Sequence, residues 1–226
     1  MHQLLAGFAM LIIGDSHLSL PGYLISSLQD RLVAQGARVA TYSACGAPAG
    51  AWVVPQQVAC RTAERVQSGP IAVHTGPRAR SWNIDSLIAR HRPNLIVVEL
   101  GDTMAGYGGD LPRAWMTEQV TALTARIRAA DIPCIWVGPH WGTEGGQYGK
   151  TYARATEAAA LLKEIVTPCR YLDSTTLSEP GAWPSFDGLH YTTEGYRLWG
   201  EALAKALPQM AVTMRVAEQA PATGPR

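Results

Sequence analysis

Two short blocks at opposite ends of the chain hold residues that together could turn a serine into a nucleophile. The first, Gly14-Asp15-Ser16-His17, follows an apolar run and precedes a helical pattern; the second, Asp187-Gly188-Leu189-His190, precedes the last helical pattern. A serine hydroxyl attacks poorly at its free pKa and needs a base within hydrogen-bond reach, itself oriented by a third group. His190 is the candidate base and Asp187 its orienting partner. On a turn, their three-residue separation lets the carboxylate meet one imidazole nitrogen while the other faces Ser16. A serine at a helix N-terminus also lies beside backbone N–H groups able to stabilise an oxyanion. Each block alone has a plain structural reading, with Asp15, Ser16 or Asp187 acting as a cap and His190 lying on the surface. Their pairing is what points to acyl transfer.

These blocks need a scaffold that brings the two ends of the chain together. Short β-type runs occur at Ala9–Ile13, Arg38–Tyr42, Leu95–Leu100, Cys134–Gly138 and Arg170–Leu172. Between them, Pro21–Gln35 carries Leu24, Leu28 and Leu32, and Ala114–Ala130 carries Val120, Leu123 and Ile127, the apolar stripe of an amphipathic helix. Thr151–Val166 and Thr193–Leu207 have the same pattern, the latter with Thr193 as N-cap candidate. Strands alternating with helices predict a single three-layer α/β/α domain around a mostly parallel sheet of about five strands. Ligands of such folds bind beyond the carboxyl ends of the strands, where the strand order reverses. That places Gly14–His17, Ser43–Gly46, Gly101–Met104 and Pro139–Gly142 around the site. Ala47–Arg80 and His140–Lys150 have no clear periodicity and are expected to be loops over it. The domain is expected to span 1–207, and Pro208–Arg226, weakly hydrophobic after Met214, to be a disordered tail.

Composition narrows the function. Of 226 residues, 47% are hydrophobic and 16% charged, the latter below the globular norm of about 25%. With 19 basic and 18 acidic residues the net charge is +1, so the electrostatic footprint of a nucleic-acid-binding protein is missing. The longest early apolar run, Leu4–Ile13, is too short for a transmembrane span, and without a basic leader or an A-x-A-like site it reads as a strand. Gly149-Lys150-Thr151 looks like the end of a phosphate-binding loop, but Glu144 occupies the position of the first glycine. There is no G-x-G-x-x-G after a strand, no G-x-S-x-G and no H-E-x-x-H, and the mechanism requires no metal or organic cofactor. Four cysteines without metal-finger spacing fit two disulfides in an oxidising compartment, with three pairings open and Cys45–Cys60 with Cys134–Cys169 preferred, against the alternative of four reduced thiols.

In order and spacing, the chain resembles the SGNH/GDSL hydrolase family over roughly residues 9 to 207. The carrying motifs are Gly14-Asp15-Ser16-His17, Gly46 after the second strand, and Asp187–His190. The resemblance implies a flavodoxin-like SGNH fold with Ser16, Asp187 and His190 as catalytic triad. It places Ser16, Gly46 and Thr103 at the oxyanion hole. The third block departs from the family, because Gly101-Asp102-Thr103-Met104 has Thr103 where the family's oxyanion-hole Asn stands. The site is therefore expected to be a serine esterase acting on small acyl, chiefly acetyl, esters. Two alternatives are an acyltransferase using the same triad and a catalytically silent polysaccharide-binding or assembly protein. The G-D-S-H spelling is similar to SGNH domains that act on acylated bacterial polysaccharides. This implies a carbohydrate substrate, a periplasmic or secreted location and an association with a polysaccharide-synthesis or export system. Asp102, His140 and Trp141, which follow the third and fourth strands, are expected to bind substrate, Trp141 by stacking on a sugar ring. His17 is expected behind the site or on the surface.

Overall fold

Burial along the central strands divides their side chains between two cores. In the strand Ala9–Gly14 (β1), Leu11 and Ile13 enter one core and Met10 and Ile12 the other. The same alternation runs through Leu95–Glu99 (β5) and Cys134–Val137 (β6). A strand buried on both faces must be covered on both faces. The computed structural model describes residues 3–219 and shows both layers. On one face lie Leu24–Ser27 (α1), Gln29–Ala34 (α2) and Thr193–Gln219 (α6); on the other lie Ile84–His91 (α3), Arg113–Ala129 (α4) and Tyr152–Ile165 (α5).

With Arg38–Ala44 (β2), Arg61–Val66 (β3), Ala72–Thr75 (β4) and Arg170–Leu172 (β7), the sheet has seven strands in the order β4-β3-β2-β1-β5-β6-β7. The five predicted strands are its parallel part, β2-β1-β5-β6-β7. This is the flavodoxin-like order, whose switch point lies between β1 and β5. The chain after each of these two strands therefore meets at one crevice, with Ser16 at its mouth and Asp102 buried beneath it.

The two additional strands are antiparallel and lie in Ala47–Arg80, which was expected to be loop. Their residues are mostly polar or exposed, so no apolar alternation marks them. Pairing is set instead by β2 and by Cys45–Cys60, which draws the Cys45 N–H onto the Arg61 carbonyl at 2.9 Å. Cys134–Cys169 joins the start of β6 to the turn before β7, so both expected pairings are present. Replacing each pair by alanines is expected to cost about 2–4 kcal/mol. The Cys134–Cys169 variant should lose more, since its residues are 35 apart in sequence against 15. Guanidinium unfolding of both variants checks the order.

Local helix details also depart from expectation. The predicted helix Pro21–Gln35 is split into α1 and α2 at Leu28, although Leu24, Leu28 and Leu32 are all buried as the stripe requires. The cap of α6 is Thr192, one residue earlier than expected, its hydroxyl accepting from the Gly195 N–H at 3.3 Å. The same helix does not end at Leu207: it continues through Pro208 to Gln219, because Ala211 and Met214 pack into the core beside Leu5 and Phe8. Residues 220–226 of the expected tail lie outside the described residues.

Candidate active site

β1 ends at Gly14 because only glycine fits there. A Cβ at this position would stand 2.5 Å from Leu18 Cδ1 and 2.6 Å from the Glu99 carbonyl oxygen. The chain then turns at Asp15, whose Oδ1 caps the following 3-10 turn by accepting from the His17 N–H at 3.2 Å. Asp15 Oδ2 accepts from the Thr103 hydroxyl at 2.6 Å, and the Asp15 carbonyl accepts from the Ser43 hydroxyl at 2.8 Å. One residue thus fastens together the ends of β1, β2 and β5 around Ser16.

Ser16 meets the far end of the chain. Its Oγ lies 2.8 Å from His190 Nε2, and His190 Nδ1 lies 2.7 Å from Asp187 Oδ2. Asp187 is itself held, since its Oδ1 accepts from the N–H groups of Leu189 and His190 at 2.9 and 2.6 Å. The loop after β6 braces this turn: Thr143 N–H donates to the Gly188 carbonyl and Gln147 N–H to the Asp187 carbonyl, each at 3.0 Å. Burial, then the neighbouring His17, hold the His190 imidazole below its ordinary value, with Asp187 pulling the other way. A neutral imidazole at neutral pH is the form a general base requires.

Gly46 adopts φ 74°, a left-handed conformation that other residues adopt only with strain, and a Cβ there would meet nothing within 4 Å. It borders open space beyond β2. Thr103, expected to donate to the oxyanion, gives its one hydroxyl proton to Asp15 instead.

Two residues expected to bind substrate lie under the site instead of lining it. Asp102 is 4% exposed and His140 is fully buried. Asp102 Oδ1 accepts from Lys150 Nζ at 2.6 Å and from the Tyr107 hydroxyl. Burial alone would raise the Asp102 carboxyl, but Lys150, His140 and His17 hold it well below the ordinary carboxylate range. Trp141 donates its ring N–H to the carbonyls of Thr175 and Ser178 at 2.8 and 2.9 Å, so it ties loops together. His17, expected behind the site or on the surface, is fully buried, with Nδ1 2.9 Å from the Tyr196 hydroxyl.

The exposed neighbours of the triad were not singled out by sequence. The Phe186 ring stacks on His190 at 5.8 Å and is 62% exposed; the Tyr148 ring meets His190 edge-on at 5.4 Å and is 42% exposed. Phe186 immediately precedes Asp187, and an apolar ring placed next to a catalytic block is the signal that could have marked it.

No protein-family model matches the chain. It is 46% identical over 213 residues to Protein BcsX of Komagataeibacter xylinus, covering 93% of this chain and 80% of that protein. Among solved structures, a peptidoglycan O-acetylesterase superposes with TM-score 0.61 at 13% identity, over 92% of each chain. A carbohydrate acetylesterase family member from Sinorhizobium meliloti superposes with TM-score 0.58 at 17% identity, over 89% of this chain and 98% of that one. With these likenesses added to the strand order and the paired motifs, the chain has the SGNH hydrolase fold and belongs to the family of BcsX.

Proposed function

We propose that this protein is a serine esterase that removes acetyl groups from a bacterial carbohydrate. The observation that carries the reading is the unbroken chain from Ser16 Oγ to His190 Nε2 and from His190 Nδ1 to Asp187, at 2.8 and 2.7 Å. Ser16 Oγ attacks the ester carbonyl as His190 Nε2 takes its proton, and Asp187 stabilises the imidazolium. The backbone N–H groups of Ser16 and Gly46 hold the tetrahedral oxyanion. Collapse expels the alcohol, which takes the proton from His190; water, deprotonated by His190 in turn, then releases acetate from the acyl-enzyme.

The carbohydrate assignment draws on the acetylesterases that share the fold and on exposed Phe186 and Tyr148 beside the base, where aromatic faces can stack on a sugar ring. Two disulfides suit an oxidising compartment, and among the described residues no helix is long and apolar enough to cross a membrane. A periplasmic or secreted protein working beside a polysaccharide-synthesis or export system fits both. Commitment of Thr103 to Asp15 favours a second reading, binding without turnover, because losing one oxyanion donor costs about 10²–10³ in rate.

Incubation with an acetylated polysaccharide, with and without an unacetylated acceptor, tests the assignment. Free acetate independent of acceptor is the expected result. Acetyl appearing on the acceptor would mean transfer, and retention of the glycan with no acetyl movement would mean binding alone. The pH profile is a further expectation: kcat/KM for an acetyl ester should fall as pH drops through the His190 pKa, with its inflection below the ordinary histidine value of about 6.5. An inflection above that value would contradict the burial of the base.

A further inference from the structure

Beneath Ser16, three buried donor atoms converge without a hydrogen-bond partner: His17 Nε2, His140 Nε2 and Asp102 Oδ2. Each Nε2 lies 3.4 Å from Asp102 Oδ2, and the three atoms fall within 4.8 Å of one another. Buried polar atoms are rarely left in this state. The two 3.4 Å separations are those found in a coordination shell. Bonds of about 2.0–2.2 Å at tetrahedral angles put ligand atoms about 3.3–3.5 Å apart.

The surroundings fit the same reading. His17 Nδ1 lies 2.9 Å from the Tyr196 hydroxyl, so its outer nitrogen is fixed as in metal-bound histidines. The other oxygen of Asp102 accepts from Lys150 and Tyr107, which sets the direction in which Oδ2 points. Lys150 adds a like charge, and two further buried carboxyls, Asp15 and Glu99, form with His17 a second close group. The rings of Tyr191 and Trp199 close over His140.

We propose that His17, Asp102 and His140 form a buried site for one divalent first-row metal ion of the zinc class. Two imidazoles and a carboxylate suit that class over calcium or magnesium, which take oxygen ligands. The ligands follow β1, β5 and β6, so the ion ties together three parallel strand ends beneath the nucleophile. Their wide separation in sequence explains why no metal motif is visible there. With every ligand at most 4% exposed, the ion enters as the chain folds and is retained afterwards.

The test is metal analysis of tag-free protein expressed in zinc-supplemented medium and dialysed against EDTA. About one zinc per chain is expected, with the ion absent from folded His140→Gln and Asp102→Asn variants. Because those variants can fail to fold, wild type is also unfolded with its disulfides intact, stripped with EDTA and refolded with Co²⁺ or Zn²⁺. Visible d–d absorption from Co²⁺ and a raised Tm with either ion are expected. Folded wild type that carries no metal, and whose spectrum and Tm are the same after refolding with Co²⁺, Zn²⁺ or EDTA, would overturn the proposal. Neither readout depends on esterase activity, so this outcome is separate from the fate of the proposed function.

Discussion

Asp187→Asn is expected to lower kcat for a small acetyl ester about 10⁴-fold with little change in fold. The Asp187 carboxylate divides its work, Oδ1 accepting two backbone N–H groups and Oδ2 meeting His190 Nδ1 at 2.7 Å. An asparagine keeps the first role, because its carbonyl can still accept the two N–H groups. Its NH₂ then faces Nδ1 and donates to it, which forces the imidazole proton onto Nε2. A protonated Nε2 points its hydrogen at Ser16 and cannot take the serine proton. Turnover of 4-nitrophenyl acetate beside circular-dichroism unfolding separates the chemical loss from any structural one. A loss under about tenfold in a well-folded variant would remove Asp187 from the orienting role.

Trp199→Ala is expected to cost about 3–5 kcal/mol of stability, from lost burial and the cavity left behind. Trp199 is fully buried on α6, its ring lies against His17, His140, Tyr191 and Tyr196, and its N–H donates to Ser174 Oγ at 2.7 Å. Removal takes away a large apolar surface and leaves a buried hydroxyl without its donor. Trp199→Phe separates the two effects: it fills most of the space, so about 1–3 kcal/mol should remain for the unpartnered Ser174. Urea unfolding of both variants gives the comparison. Equal costs would mean that the hydrogen bond, and not the packed volume, holds this floor in place.

The parts of the site legible in the sequence are those where chemistry and chain direction coincide. β1, β5 and β6 are continuous apolar runs, as strands buried on both faces must be, and a polar block after such a run has to emerge at the mouth of the sheet. Ser16 was placed in this way, and Asp187 with His190 by the turn before the last helix. Burial at the same strand ends was not legible. Asp102 and His140 also follow strands, yet they turn beneath the crevice, where Lys150 and His17 supply Asp102 with partners that lie far away in sequence. Lys150 shows the difficulty well: its Gly-Lys-Thr setting looks like a phosphate loop, while its position in space makes it the counter-ion of a buried carboxylate. β3 and β4 were hidden for a different reason. β3, paired on both sides, and the edge strand β4, with mostly polar or exposed residues, take their pairing from the sheet and from Cys45–Cys60, not from their own pattern.

The central claim is that Ser16 is an activated nucleophile, and a fluorophosphonate probe tests it most directly. Wild type and Ser16→Ala, both confirmed as folded, are incubated with the probe and the labelled peptide is identified by mass spectrometry. A single covalent adduct on the peptide containing Ser16 is expected, with hydrolysis of 4-nitrophenyl acetate that stops as the adduct forms, and neither label nor turnover in Ser16→Ala. A folded wild type that takes up no probe and turns over no ester, or a Ser16→Ala variant as active as wild type, would contradict it.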